Sequence, residues 1–393
     1  MSLGIFIFIV SILIVVMIHE AGHFLVAKHF DFKATQFFVG FGPTIWSTRR
    51  GETEYGLKAL PLGGFVKILG MNPYEQIDDA DQPRSYPNKP RSQRALVLVA
   101  GSATHWLVAF AIIAVTAMTL GFPTLTTTVA DAGRGPSGEP TPASEGGVDE
   151  GDKIVAIDGD NVESWDEVRA FIRDHPDDSA TFTVEREGVR RTVEVSLGSA
   201  ISSTETGLII DFAMPGEDLR APREGEVVVG FFGVAPEQVV ETSGPLGAIA
   251  EAGRQVWQIT KESVLGIGGV FTPVFDGSLF DALSESGERD PAGSPIGLVG
   301  AGRIAGQSVD SGQPLILVEL IVRFTIFVGI LNLLPLPPLD GGHLAVLGYE
   351  AVTRRRVDLR KLIPVAAAVI SFFLLLFVAV LYLDLARPVE LPF

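Results

Sequence analysis

Apolar residues fall into long unbroken stretches toward both ends of this chain, and into short alternating runs in its middle. Four stretches look like membrane spans, and the last three approach or exceed the roughly 20 apolar residues that a bilayer-crossing helix needs. The first begins at GIFIFIVSILIVVMI and continues through HEAGHFLVAKHF. The second runs from Ala95 to Phe122, the third from Leu315 to Leu334 and the fourth from Leu362 to Leu383. The first lacks the basic start and small-residue cleavage site of a signal peptide, so it is expected to be retained as a span. Between the first two spans, GETEYGLKAL and LPLGGFVKI alternate apolar with polar residues and are punctuated by glycine. That pattern predicts β-hairpins apolar enough to lie against or dip into a membrane. Residues 76–94, acidic and proline-bearing, read as an exposed loop.

A different pattern fills residues 124–314. GRGPSGEPTPASEGG has the composition of a linker. Beyond it the alternation predicts a strand (KIVAID), a turn (GDN), a helix (SWDEVRAFIRDH) and two strands (SATFTVER and RRTVEVSL) joined at EG. Residues 200–240 read as mixed β and loop, 244–268 as an amphipathic helix along the membrane surface, and 278–294 as loop. The expected division is therefore an N-terminal membrane half (1–123), a linker with a compact α+β module (124–200), a β/loop and amphipathic-helix region (201–314) and a C-terminal membrane half (315–393).

Composition sharpens this picture. A hydrophobic share of 47% stands beside a net charge of -17, a combination that a uniformly soluble chain rarely shows and that segregation into membrane and water explains. The chain has no cysteine, which excludes disulfides and thiolate metal ligands. Its acidity argues against nucleic acid as a partner. Basic residues concentrate in RRRVDLRK, between the third and fourth spans, and in the connection between the first and second. By the positive-inside rule these two connections face the cytoplasm, and the acidic middle segment and both termini lie outside.

The first span is interrupted by His19, Glu20 and His23, an H-E-x-x-H sequence. Positions i and i+4 share a helix face, so both imidazoles can reach one tetrahedral Zn2+. Glu20 is then placed to take a proton from the attacking water. Three ionisable residues in one membrane helix are costly and usually functional. A third protein ligand must come from elsewhere at the same depth, and NLLPLPPLDGGH offers Asp340 after prolines that break the third span. Its glycines are expected to allow sharp turning. Counting 1.5 Å per residue from an outside start, His19 and His23 lie about 24–30 Å along their helix, toward the cytoplasmic side. Asp340, at the inner end of the third span, reaches that side too.

HEAGH, the distant LDGGH and a water-exposed module between them resemble the site-2 protease family of intramembrane zinc metalloproteases, in its bacterial branch that carries a PDZ domain. The resemblance covers nearly the whole chain. It implies a polytopic α-helical membrane protein with about four transmembrane helices, membrane-associated β-hairpins and an extracytoplasmic α+β PDZ-like domain, set in a bacterial inner membrane. It implies zinc on His19, His23 and Asp340, with Glu20 catalytic. Asn332 and Pro335 match the family's N-x-x-P-x-x-x-x-D-G motif and are implied to help position substrate, as are Gly63 and Gly64 of LPLGGFVKI. AGSATHW at 100–106 departs from the family's A-G-P-x-x-N, since His105 stands where asparagine is usual and is expected to donate a hydrogen bond near the site. GVDEGDKIVAIDGDNV resembles the start of a PDZ domain, which would bind a peptide terminus along a sheet edge. The implied substrate is a single-span membrane protein of the anti-sigma-factor type. The alternative is a non-catalytic membrane scaffold or receptor with a structural metal, and the presence of Glu20 argues against it.

Overall fold

The computed structural model describes residues 2–133, 140–204, 209–275 and 296–388. The loop expected at 278–294 and residues 134–139 of the expected linker lie outside these. The chain forms two compact units, one of Met1–Met118 with Ser243–Phe393 and the other of Thr119–Thr242.

The first unit opens with helix α1 (Ser2–His29). It stops where Asp31 takes a left-handed conformation, φ 55°. Strands β1 (Ala34–Arg50) and β2 (Thr53–Ile68) follow as one antiparallel sheet. Both strands are so bent that residues 36–39 pair on one side with 64–67 and on the other with 54–57, while 46–50 pair with 53–57. The expected hairpins are thus a single folded-over sheet, in which 64–67 forms one outer strand. Phe41, Ile45, Trp46, Leu57 and Leu60 are exposed on it, an apolar surface suited to lipid. Arg84 ties the turn of this sheet down through Glu52, with guanidinium contacts of 2.6 and 2.8 Å. Helix α2 (Arg91–Thr119) then begins directly after Pro90.

The second unit is built on a sheet of order β11-β3-β4-β6-β7, with β5 beside β4. Its members are β3 (Phe122–Asp131), β4 (Lys153–Ile157), β5 (Asp160–Asn161), β6 (Ser179–Arg186), β7 (Val189–Ser196) and β11 (Ala235–Glu241). Helix α3 (Pro142–Glu145) is a single turn, and helix α4 (Trp165–Asp174) starts where the Ser164 side chain accepts the Glu167 N–H. Alternate strand residues such as Ile154, Phe182, Val184 and Val195 meet Val168 and Ile172 of α4 in the core. The strand–turn–helix–strand–strand order matches the expectation for residues 153–196. The boundary expected at residue 200 falls inside strand β8 (Gly198–Ser203), which pairs with β9 (Ile209–Ala213) and β10 (Glu226–Phe231). The reason is long-range pairing: β11 returns from 235–241 to lie beside β3, so residues 201–242 complete this unit.

Asp152 is fully buried there and accepts the Asp149 N–H (3.0 Å), Arg186 Nε (2.8 Å) and Arg191 Nη2 (2.5 Å). Burial alone would raise its carboxyl pKa, but these donors outweigh burial and hold it below the usual carboxylate range. The ionised Asp152 therefore stabilises the fold fully above the unfolded value of about 4, and the benefit fades as pH falls toward the depressed native value. Asp152→Asn is expected to cost about 2 kcal/mol, less than a wholly buried pair because both guanidiniums touch water. Hydrogen exchange of the β4 amides in the full chain checks this: exchange about 30-fold faster is expected at neutral pH, with the difference from wild type shrinking in acid.

The chain returns to the first unit through α5 (Pro245–Phe275), α6 (Leu298–Asp310), α7 (Pro314–Asn332), α8 (Asp340–Thr353) and α9 (Ile363–Ala386). Pro314 suits the first turn of α7 and Pro335, Pro337 and Pro338 prevent its continuation. Helix α5 is longer than expected; Trp106 Nε1 donates to its Thr260 Oγ1 (3.0 Å). Helix α6 was not expected, because its glycines and short polar residues mute the apolar periodicity. It packs close on α1, where a Cβ on Gly4 would overlap the Ala305 carbonyl. Asp384 of α9 accepts the Gly297 and Gly300 N–H groups (3.2 and 2.8 Å), so α9 supplies the cap that the glycine preceding α6 cannot. Among the described residues, four helices are long and apolar enough to cross a membrane: Leu3–His29, Arg91–Thr119, Pro314–Asn332 and Leu359–Ala386.

Candidate metal centre

Helix α1 carries His19 and His23 one turn apart, both buried, with their Nε2 atoms 3.1 Å from one another. The third group arrives at the start of α8. Asp340 Oδ2 lies 3.4 Å from His19 Nε2 and 3.2 Å from His23 Nε2. Four-coordinate zinc holds nitrogen and oxygen at about 2.0–2.2 Å, which sets tetrahedral ligands roughly 3.3 Å apart. The three edges of this triangle have that length. Asp340 Oδ2 is also buried without a hydrogen-bond donor, as a carboxylate oxygen meant for a cation would be. The residues fit zinc, and they could hold it.

The opposite nitrogens fix the rings. His23 Nδ1 bonds the Val97 carbonyl at 2.7 Å, and His19 Nδ1 lies 3.1 Å from His105 Nε2. Metal-binding histidines usually spend their second nitrogen on such a partner, which sets tautomer and ring orientation. His105 is 1% exposed and contacts the side of His19 away from Asp340. Helices α1 and α2 come together through small residues: a Cβ on Gly22 would meet the Ala100 carbonyl at 2.7 Å, and one on Gly101 would strike the His23 imidazole. Val97 and Gly101 were not singled out by sequence reasoning, although AGS within the second span is a small-residue signal of close helix approach.

Asp340 owes its position to a break in the chain. Residues 333–339 form turns, and Asp340 opens α8. Gly341 and Gly342 are not turning residues, contrary to expectation, since both sit within the helix. They are needed for space: a Cβ on Gly341 would overlap the Leu333 carbonyl, and one on Gly342 would meet the Pro337 nitrogen at 2.5 Å. The first turn of α8 thus packs on the loop that leads into it.

Glu20 points from α1 to the outer strand of the β1–β2 sheet, where its Oε2 accepts the Val66 N–H at 2.9 Å. Gly64 of that strand presses on α1, where a Cβ would overlap the Met17 sulfur, while Gly63 just before it takes φ 131°, a conformation that suits glycine. Asn332 is the half-buried last residue of α7 and Pro335 is exposed in the following turn. Among the other histidines, His29 is exposed. His175 is half-buried, with Nδ1 bonded to the Phe171 carbonyl at 2.7 Å.

Residues 7–378 match peptidase family M50. Zinc metalloprotease Rip1 of Mycobacterium tuberculosis (strain H37Rv) is 34% identical over 387 residues, which cover 95% of this chain and 91% of that protein. Rip1 of Mycolicibacterium smegmatis is 31% identical over 424 residues, 99% of each chain. Zinc metalloprotease RasP of Geobacillus kaustophilus is 26% identical over 432 residues, 90% of this chain and 91% of that protein. These matches set aside the alternative of a non-catalytic scaffold. With four long apolar helices among the described residues and a His–His–Asp triangle beside a glutamate, the chain belongs to peptidase family M50, the site-2 proteases, and is a zinc metalloprotease of the membrane.

Proposed function

We propose that this enzyme cuts single-span membrane proteins within or beside the bilayer, at a site toward the cytoplasmic side, using His19, His23 and Asp340 as zinc ligands and Glu20 as proton carrier. The observation that carries the reading is the convergence of three donor atoms from α1 and the α7–α8 break, at the spacing of one metal ion, with Glu20 next in sequence to a ligand. Zinc supplies Lewis acidity, polarising the scissile carbonyl and lowering the pKa of a water. Glu20 accepts the proton of the attacking water and delivers it to the leaving amine. His105 and the Val97 carbonyl hold the two imidazoles in register, as positioning groups.

A helical peptide bond has its carbonyl and N–H committed to the helix, so a substrate must be extended before it can be cut. The strand at 64–67 offers a template, because the Val66 N–H points out of the sheet toward Glu20 and strand addition satisfies both backbones. Gly64 lets that strand approach α1, and Gly63, Asn332 and Pro335 contribute to holding substrate near the site. The unit of residues 119–242 acts as an extracytoplasmic PDZ-like domain that admits only substrates already trimmed outside, of the anti-sigma-factor type, and takes a peptide terminus at a sheet edge. Such a site belongs in a bacterial inner membrane.

Cleavage of a model single-span protein, co-reconstituted with the enzyme in lipid nanodiscs and mapped by mass spectrometry, tests this reading. Cuts are expected inside the apolar span or at its cytoplasmic border. Cuts confined to the water-exposed portion would overturn it.

A further inference from the structure

A polar cavity of about 470 Å³ opens between the start of α2 and the end of α8. Lys89, Arg91, Arg94, Arg356 and Glu350 line it. Four cations therefore face one carboxylate, and that carboxylate is already engaged: one Glu350 oxygen takes Arg94 Nη2 (3.2 Å) and the other takes the Val357 N–H (3.0 Å). Arg91 and Arg356 are exposed and form no ion pair with another described residue. Arg94 Nε is buried and has no acceptor. The cavity thus presents a surplus of positive charge and an unmatched buried donor, a combination that calls for an anion with several acceptor oxygens.

Place decides which anion. Arg91 is the first residue of one candidate span and Arg356 lies three residues before another, which starts at Leu359. The cavity therefore sits where apolar helices give way to water, at the level of lipid headgroups. We propose that this cavity binds the phosphate of an anionic phospholipid headgroup. Its position gives the ligand a consequence. Helix α2 provides the Val97 carbonyl that orients His23, and α8 begins with Asp340. A headgroup held by Arg91 from one helix and Arg356 from beyond the other clamps together the two elements that frame the metal centre, between the first turn of α2 and the far end of α8.

The test uses the full chain purified with zinc and examined by native mass spectrometry after exchange into phosphatidylcholine or phosphatidylglycerol. Preferential retention of phosphatidylglycerol by wild type is expected. Arg91→Gln/Arg356→Gln should weaken that retention about 10- to 30-fold, from two lost cations near the surface. Arg91→Lys/Arg356→Lys should restore most of it, which separates charge from folding. Millimolar inorganic phosphate should fail to displace the lipid. Equal retention of the two lipids by wild type, equal retention of phosphatidylglycerol by the glutamine variant, or no recovery with lysine would each overturn the proposal. Displacement by phosphate would assign the cavity to the free ion instead.

Discussion

Glu20→Gln is expected to keep its zinc and to cut a single-span substrate at least ~100-fold more slowly than wild type, with a loss approaching ~10,000-fold if proton transfer limits the rate throughout. The substitution is nearly isosteric, and a carboxamide oxygen can accept the Val66 N–H as the Glu20 Oε2 does at 2.9 Å. The side chain should therefore stay between α1 and the outer strand. What disappears is the ability to take a proton from water and return it to the leaving amine. His19, His23 and Asp340 are untouched, so the zinc content separates a lost base from a lost site. Substrate cleavage in nanodiscs and metal content are measured on the same preparation; cleavage at the wild-type rate would remove Glu20 from the mechanism.

Asp340→Ala should have the opposite signature, losing metal first and activity as a consequence. A structural zinc site stores about 10–16 kcal/mol over four ligands, so one ligand is worth ~3–4 kcal/mol and its removal weakens affinity about 100- to 1,000-fold. The helix that carries it should survive. Gly341 and Gly342 still pack on the preceding loop, and the far end of α8 remains tied to α2 through Arg94 and Glu350. Zinc affinity from competition with a calibrated chelator checks the magnitude, and unchanged affinity would mean that the third ligand lies elsewhere.

Much of this site was legible in the sequence because its chemistry is rare where it stands. His19, Glu20 and His23 interrupt an apolar span, and helix periodicity places the two imidazoles on one face. Asp340 was legible as a candidate by depth, since proline breaks the third span at the level that His19 and His23 reach. The compact strand–helix–strand order of residues 153–196 followed from the alternation of apolar and polar residues. Long-range pairing stayed hidden. Nothing local announces that residues 36–39 pair twice, or that β11 returns to β3 across more than a hundred residues. Close packing stayed hidden too: the reason for Gly101 is the His23 ring, and the reason for Gly341 is a carbonyl in the preceding turn. Helix α6 went unread because glycine weakens the very periodicity that reveals helices, while favouring the contact with α1 that the fold exploits.

His105 illustrates the difference between a motif and a place. The sequence shows only that a histidine stands where asparagine is usual in the family. The fold puts its Nε2 beside His19 Nδ1, on the side of that ring away from Asp340.

The central claim is that one zinc ion is shared between α1 and the start of α8. Zinc per chain, measured side by side on wild type, Glu20→Gln and Asp340→Ala after dialysis against the same chelator, tests it most directly. One zinc in each of the first two and close to none in the third is the predicted result. Full zinc in Asp340→Ala, or loss of zinc in Glu20→Gln, would contradict it.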